Sequence, residues 1–203
     1  MNYKSNSQES TRMFKNDFLE SLSKVHWSVP LIVFVPVVVY CTWRAFVQYH
    51  ISPGRYAAYF IGALLFWTLT EYILHRFVFH WVPASRWGKR LHFIFHGVHH
   101  DYPNDALRLV MPASVSIPLA TFFYFLFSLV LAEGGLLAFF SGFIVGYLFY
   151  DVSHYAIHHA NFKSGLWKKM KQHHMHHHYA DPNRGYGVSS KIWDKIFDSD
   201  FTR

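Results

Sequence analysis

The sequence predicts an all-α integral membrane protein with four transmembrane helices in two hairpins and a cytoplasmic helical cap rich in histidine. Three observations carry this: four long runs with almost no charge, a one-sided distribution of Lys and Arg, and 16 histidines of which 14 gather into four clusters. Of 203 residues, 52% are hydrophobic, 20% aromatic and only 15% charged, which excludes a disordered chain. The single cysteine, Cys41, excludes a disulfide framework and any zinc module built on cysteines. The formal charge of +7 would suit a nucleic-acid binder only if the basic residues made one soluble face, and their distribution instead follows the alternation of uncharged runs.

Residues 1–24 read as a cytoplasmic N-terminal segment. They are polar and contain no signal peptide. Phe14, Phe18 and Leu22 recur every four residues, so the segment is either a short amphipathic helix lying on the membrane or a solvated tail. Residues 25–203 then form one membrane domain. Its spans are expected at about 25–43, 56–74 (interrupted only by Glu71), 109–132 and 134–150, each near the ~20 residues a bilayer-crossing helix needs. Buried helices of a soluble bundle would show polar faces at helical period, and the runs LIVFVPVVVY and ATFFYFLFSLVLA show none. Pro30, Pro36, Pro112 and Pro118 are tolerated in such segments because neighbouring helices can satisfy the freed backbone groups. The last two spans are separated only by Glu133, which makes a tight hairpin. With four spans, residues 1–24, 75–108 and 151–203 share one side. That side holds 17 of the 19 Lys and Arg, only Arg44 and Arg55 lying opposite, so it is expected to be cytoplasmic.

All four histidine clusters fall on this cytoplasmic side. They are His75 and His80; His92, His96, His99 and His100; His154, His158 and His159; and His173, His174, His176, His177 and His178. Helical spacing puts i, i+3 and i+4 on one face, so His96/His99/His100, His174/His177/His178 and His154/His158 form imidazole patches. His75 and His80 are five apart, roughly 140° out of alignment in an α-helix, and need a distorted turn or different metals. Ten neutral imidazoles suffice for two transition-metal ions at about five nitrogens each, with a position left open. A register using His173, His176 and His177 fits the last cluster equally well. Outside the pattern, His26 and His50 are expected at the interface, with His173 and His176 as exposed neighbours on a helix. Glu71, one turn before His75, and Asp151, three residues before His154, are placed to accept a hydrogen bond from the far nitrogen of a ligand imidazole.

The segments EYILHRFVFH (71–80), LHFIFHGVHHDYPNDALRLVMP (91–112), YDVSHYAIHH (150–159) and HHMHHHYADPNRGYGVSSKIWDKIF (173–197) carry a resemblance. In order and context they resemble the fatty acid hydroxylase and sterol desaturase superfamily, most closely its fatty acid 2-hydroxylases, over nearly the whole chain after residue 30. The resemblance implies metal ligands at His75, His80, His96, His99, His100, His154, His158, His174, His177 and His178, with His92 in a supporting role. It favours the His174, His177, His178 register because that keeps the family's distance to Tyr186 and Gly187. It also implies two iron ions, O2 as co-substrate and hydroxylation of an acyl chain at the bilayer edge; zinc is able to fill such an all-histidine site in purified protein. Tyr150, Tyr155, Phe79, Phe95 and Trp193 are candidate walls for that chain. The eukaryotic 2-hydroxylases of this type typically carry a cytochrome b5 domain, which residues 1–24 cannot supply. Electrons are therefore expected from a separate ferredoxin, cytochrome or flavoprotein, with Lys163, Lys168, Lys169 and Lys171 as its dock or as a membrane contact. The alternatives are a carotenoid ring hydroxylase or sterol desaturase-type oxidase, a metal carrier, which would need more polar residues in the spans, and a scaffold with a structural metal. No nucleic-acid partner is expected.

Overall fold

The computed structural model describes residues 4–201, and every regular element among them is helical. In chain order these are α1 (Asp17–Leu22), α2 (Val29–Val47), α3 (Pro53–Ile73) running on into a π turn (Leu74–Phe79), and α4 (Arg86–His92), which passes through a second π turn (Phe93–Gly97) into α5 (Val98–Asp101). Then follow α6 (Ala113–Ser128), α7 (Glu133–His159), α8 (Gly165–Tyr179) and α9 (Ile192–Ile196). The starts are written in the sequence. Asn16 caps α1 through Leu19 N, Ser52 caps α3 through Arg55 N with Pro53 in the first turn, and Ser85 caps α4 through Gly88 N.

Among the described residues, three helices are long and apolar enough to cross a bilayer: Val29–Val47, Pro53–Phe79 and Glu133–His159. The helix within the third uncharged run is shorter. α6 has 16 residues, about 24 Å at 1.5 Å per residue against a hydrocarbon core of about 30 Å. Pro112, in extended conformation, sets its start, and Leu109 and Val110 are buried ahead of it. α7 is the central helix, buried along most of its length, with α2 and α3 packed on it. Close approach to α3 depends on glycine: a Cβ at Gly142 would stand 2.3 Å from the Phe60 carbonyl oxygen, and one at Gly146 would stand 2.6 Å from Trp67. Trp67 fills the space so opened, its ring edge-on to Phe143 at 5.1 Å and Tyr147 at 5.6 Å.

Two continuities build the cap. α7 does not stop near residue 150 but continues to His159, and α3 continues through its π turn to His80, so two histidine clusters rise directly from the packed bundle. The N-terminal segment closes the cap from outside and is not a solvated tail. Ser5 N bonds Asp101 O, Thr11 N bonds Asp105 Oδ2, and the buried Arg108 donates to Thr11 O, Ser23 O and Glu20 Oε1 (2.6 Å). Burial alone would raise the Glu20 carboxyl. Bonds from Phe14 N, Lys24 and Met13 N, with the Arg108 charge, outweigh it and hold the group down at about 2. Phe18, Leu19 and Leu22 of α1 remain exposed.

Candidate metal centre

The ten clustered histidines converge in two groups, His75, His80, His96, His100 and His177, and His99, His154, His158, His174 and His178. Within each group one ring nitrogen per residue lies within 4.8 Å of all the others. The first group depends on the π turn after α3. His80 N donates to His75 O across five residues at 3.2 Å, and the widened turn brings the two Nε2 atoms to 3.3 Å. The distorted turn therefore places both on one group. His96 Nε2 is 3.1 Å from the Nε2 of both His75 and His80, His100 is 3.0 Å from His96, and His177 is 3.0 Å from His80. In the second group His174 Nε2 lies 2.9 Å from His154, 3.0 Å from His158 and 3.1 Å from His178, and the His99 ring sits 4.5 Å from those of His154 and His178.

Each three-histidine patch is shared between the groups. His96 and His100, an i, i+4 pair, face the first, and His99 faces the second; His174 and His178 face the second, and His177 faces the first. In the last cluster, His173 and His176 stand apart from both groups. His176 is exposed and stacks on Phe201 at 4.1 Å. His173 is not an exposed neighbour as expected: it is buried, with its ring nitrogens 3.5 Å from Asp194 and 3.6 Å from Asp200. His26 bonds Ser28 Oγ, while His50 and His159 are exposed.

The donor set fits metal ions. Imidazole nitrogens bound at about 2.1 Å and at right angles are about 3.0 Å apart, and opposite ones about 4.2 Å. The Nε2 separations of 2.9–3.3 Å found in the two groups are those of neighbouring ligands on one ion. Burial, then neighbouring imidazoles, lowers the proton affinity of His80 to about 2 and of His96, His99, His100, His174 and His178 well below the usual histidine value. His177 is lowered by burial to about 4 despite its bond to Arg184 O. Neutral imidazoles turning their Nε2 atoms toward one another cannot all pair by hydrogen bonds, whereas a cation satisfies them together. His75 and His177 are also fixed from behind: each Nδ1 bonds a backbone carbonyl, that of Tyr186 and of Arg184 (2.7 Å) respectively. An Nδ1–H donated there leaves Nε2 free to bind metal.

The two carboxylates expected to touch ligand imidazoles bond elsewhere. Glu71 Oε1 accepts from Val188 N and Ser189 N, and its Oε2 from the Ser189 hydroxyl. Asp151 accepts from Met111 N and from the Tyr147 hydroxyl at 2.9 Å. His92 lies outside both groups, with Nδ1 buried and without a hydrogen-bond partner among the described residues. Sequence reasoning missed Asp194, fully buried in α9, which accepts from Tyr186 N (2.9 Å), Gly187 N (2.8 Å) and Ser199 Oγ. Burial would raise its carboxyl, but His173, Gly187 N, Ser199 and Tyr186 N hold it below the usual carboxylate range. The signal was present in the glycines of Gly185-Tyr186-Gly187: Gly185 has φ +70°, and a Cβ on Gly187 would lie 2.0 Å from Ser190 O.

A mainly apolar cleft of about 860 Å³ runs along the centre, with His96, His99 and His154 in its wall. This is within the usual range for ligand pockets. Met13, Phe14, Leu19 and Leu22 of the N-terminal segment form another wall. A smaller cavity of about 30 Å³ between α3, α6 and α7 shares Leu74, Phe79, Met111, Leu119 and Tyr150 with it. Of the aromatics expected as walls, Phe79, Phe95 and Tyr150 line the cleft. Tyr155 instead stacks on Trp27 with the His159 ring tilted against it, and Trp193 bonds Thr68. Of the four lysines, Lys163, Lys168 and Lys169 are exposed, while Lys171 is tied to His158 O and Ala160 O.

Comparison with known proteins adds an independent line. Residues 60–199 match the model of a family described as fatty acid hydroxylase. The chain is 37% identical over 192 residues to the dihydroceramide fatty acyl 2-hydroxylase FAH1 of Arabidopsis thaliana, covering 94% of this chain and 80% of that protein. It is 36% identical over 207 residues to the fatty acid 2-hydroxylase of Rattus norvegicus, covering 92% and 55% respectively. A solved structure of full-length scs7p, in which only the hydroxylase domain is visible, superposes with a TM-score of 0.87 at 37% identity, covering 93% of this chain and 71% of that one.

Proposed function

Since the chain belongs to the fatty acid hydroxylase family, whose members are oxidoreductases, we propose that it hydroxylates C2 of the acyl chain of a fatty acid or sphingolipid, using O2 and two iron ions. One observation carries the reading: two five-nitrogen histidine groups stand side by side, and residues of both face the same apolar cleft. His75, His80, His96, His100 and His177 would hold one ion, and His99, His154, His158, His174 and His178 the other. When bound, the irons supply the redox chemistry by which O2, two electrons and two protons convert C–H to C–OH and release water.

The chain's own residues orient and exclude. His96, His99 and His154 bring the centre to the cleft wall, and Phe79, Leu119 and Phe122 line it against water. Asp151 holds Tyr147 and the Met111 peptide beside the ligand-bearing end of α7. The exposed apolar edge of α1 suits a substrate that enters from the lipid with its polar end left in water. We read the topology as four spans with both termini and the centre cytoplasmic, which the one-sided Lys and Arg support. We read a separate electron donor, a ferredoxin, cytochrome or flavoprotein, to dock at the exposed Lys163, Lys168 and Lys169, whose charge would complement an acidic partner surface.

The test is expression in a host without 2-hydroxylated lipids, followed by lipid mass spectrometry of wild type and of His177→Ala. Wild type should add one oxygen to acyl lipids and the variant none. No gain of oxygen, equal product from the variant, or oxygen added only to carotenoids would each overturn the proposal.

A further inference from the structure

The segment Arg184–Ser189 is suspended between the metal centre and two buried carboxylates. On one side, the carbonyls of Arg184 and Tyr186 receive His177 and His75 Nδ1. On the other, four successive peptide N–H groups are taken up in pairs: Tyr186 and Gly187 by the two oxygens of Asp194, Val188 and Ser189 by Glu71 Oε1. Every peptide N–H from 186 to 189 is thus fixed by a carboxylate that touches no ligand imidazole. The carboxylates are themselves anchored on rigid elements. Glu71 lies in α3, one turn before His75, and Asp194 lies in α9, where its backbone carbonyl also receives Ser199 N and Asp200 N. Backbone conformation agrees with this role, because Gly185 at φ +70° and the crowded Gly187 let the chain turn both carbonyls toward the histidines.

We propose that Glu71 and Asp194 are positioning residues for one of the two metal positions. Acting through the peptide groups of Tyr186–Ser189, they hold the Arg184 and Tyr186 carbonyls where these fix the tautomers of His177 and His75. The inference rests on the reading that each histidine group holds an ion, and it adds an asymmetry to that reading. His75 and His177 both belong to the first group, so loss of either carboxylate weakens the first position and leaves the second unchanged. Removing the partners that orient metal-bound histidines typically lowers metal affinity by about 10- to 100-fold, and the same range is expected here.

The experiment is chelator competition on zinc-loaded full-length protein in detergent, with retained zinc counted per chain. Wild type should hold two zinc ions; fewer than two would overturn the underlying reading and not this inference. Zinc is satisfied by four nitrogens, so two ligands are removed at once: His174→Ala/His178→Ala leaves only the first group with a full set, and His80→Ala/His100→Ala only the second. Adding Asp194→Asn should lower the chelator concentration that strips the ion of the complete group by about 10- to 100-fold in the His174→Ala/His178→Ala background, and should not change it in the His80→Ala/His100→Ala background. Glu71→Gln should do the same, and it carries the test if Asp194→Asn does not fold. Equal weakening in both backgrounds would mean a general structural role, and no weakening in either would mean the loop holds itself; each result overturns the proposal.

Discussion

Replacing Gly142 by alanine should damage the centre from a distance. The added Cβ would meet the Phe60 carbonyl oxygen at 2.3 Å, about 1 Å short of ordinary contact, and the obstacle is helix backbone that cannot rotate away. α3 and α7 must therefore separate by about that amount. α3 carries His75 and α7 carries His154 and His158, so the displacement reaches both metal groups through rigid helices. Functional constellations tolerate about 0.5 Å, and a 1 Å misplacement costs about 100-fold in rate, beside ~1–3 kcal/mol of stability lost to overpacking. Gly62→Ala is the matched control. It also lies in a packed span, but its Cβ would meet nothing within 4 Å, so helix propensity alone should act. The assay is hydroxylated lipid formed per mole of folded, iron-loaded protein, with thermal unfolding in detergent measured alongside. Activity of Gly142→Ala within twofold of wild type, or equal loss in Gly62→Ala, would refute the argument that helix spacing sets ligand geometry.

Three further outcomes are expected. Leu119 borders both cavities, so Leu119→Trp should shift the hydroxylated products toward shorter chains, read from their chain-length distribution. Stripping metal should lower the unfolding temperature by many degrees and re-addition of zinc should restore it, because binding free energy at such sites is also folding free energy; an unchanged unfolding temperature would mean the imidazoles are satisfied without an ion. The Glu20 carboxyl, held at about 2 in the folded chain against an ordinary 4.5, contributes stability that is complete above about pH 4.5 and disappears as pH falls toward 2. Glu20→Gln should accordingly release the N-terminal segment to trypsin at pH 7, and the difference in unfolding temperature from wild type should vanish near pH 2.

What the sequence disclosed is what local periodicity controls. The i, i+4 pairs His96/His100, His154/His158 and His174/His178 could be read from spacing because an α-turn alone aligns them, and each pair does face one group. His75 and His80 showed only that a regular helix fails; the π turn that reconciles them lies in backbone hydrogen bonding, for which no residue pattern in the run was a guide. Glu71 and Asp151 were read as candidates to accept from ligand imidazoles, but their donors come from far along the chain, Ser189 for one and Met111 for the other, and spacing is silent on such partners. Asp194 was not singled out, and His173 was expected on an exposed helix face. Only the fold of the C-terminal segment onto α8 buries them together.

The sharing of α8 between the two histidine groups has a consequence for how the protein is made. The chain up to His159 carries four nitrogens of the first set and three of the second, and both sets wait for His174, His177 and His178. On the proposed reading, the segment that completes both sets is thus among the last to be synthesised, and a chain arrested before α8 offers a metal ion only incomplete seats.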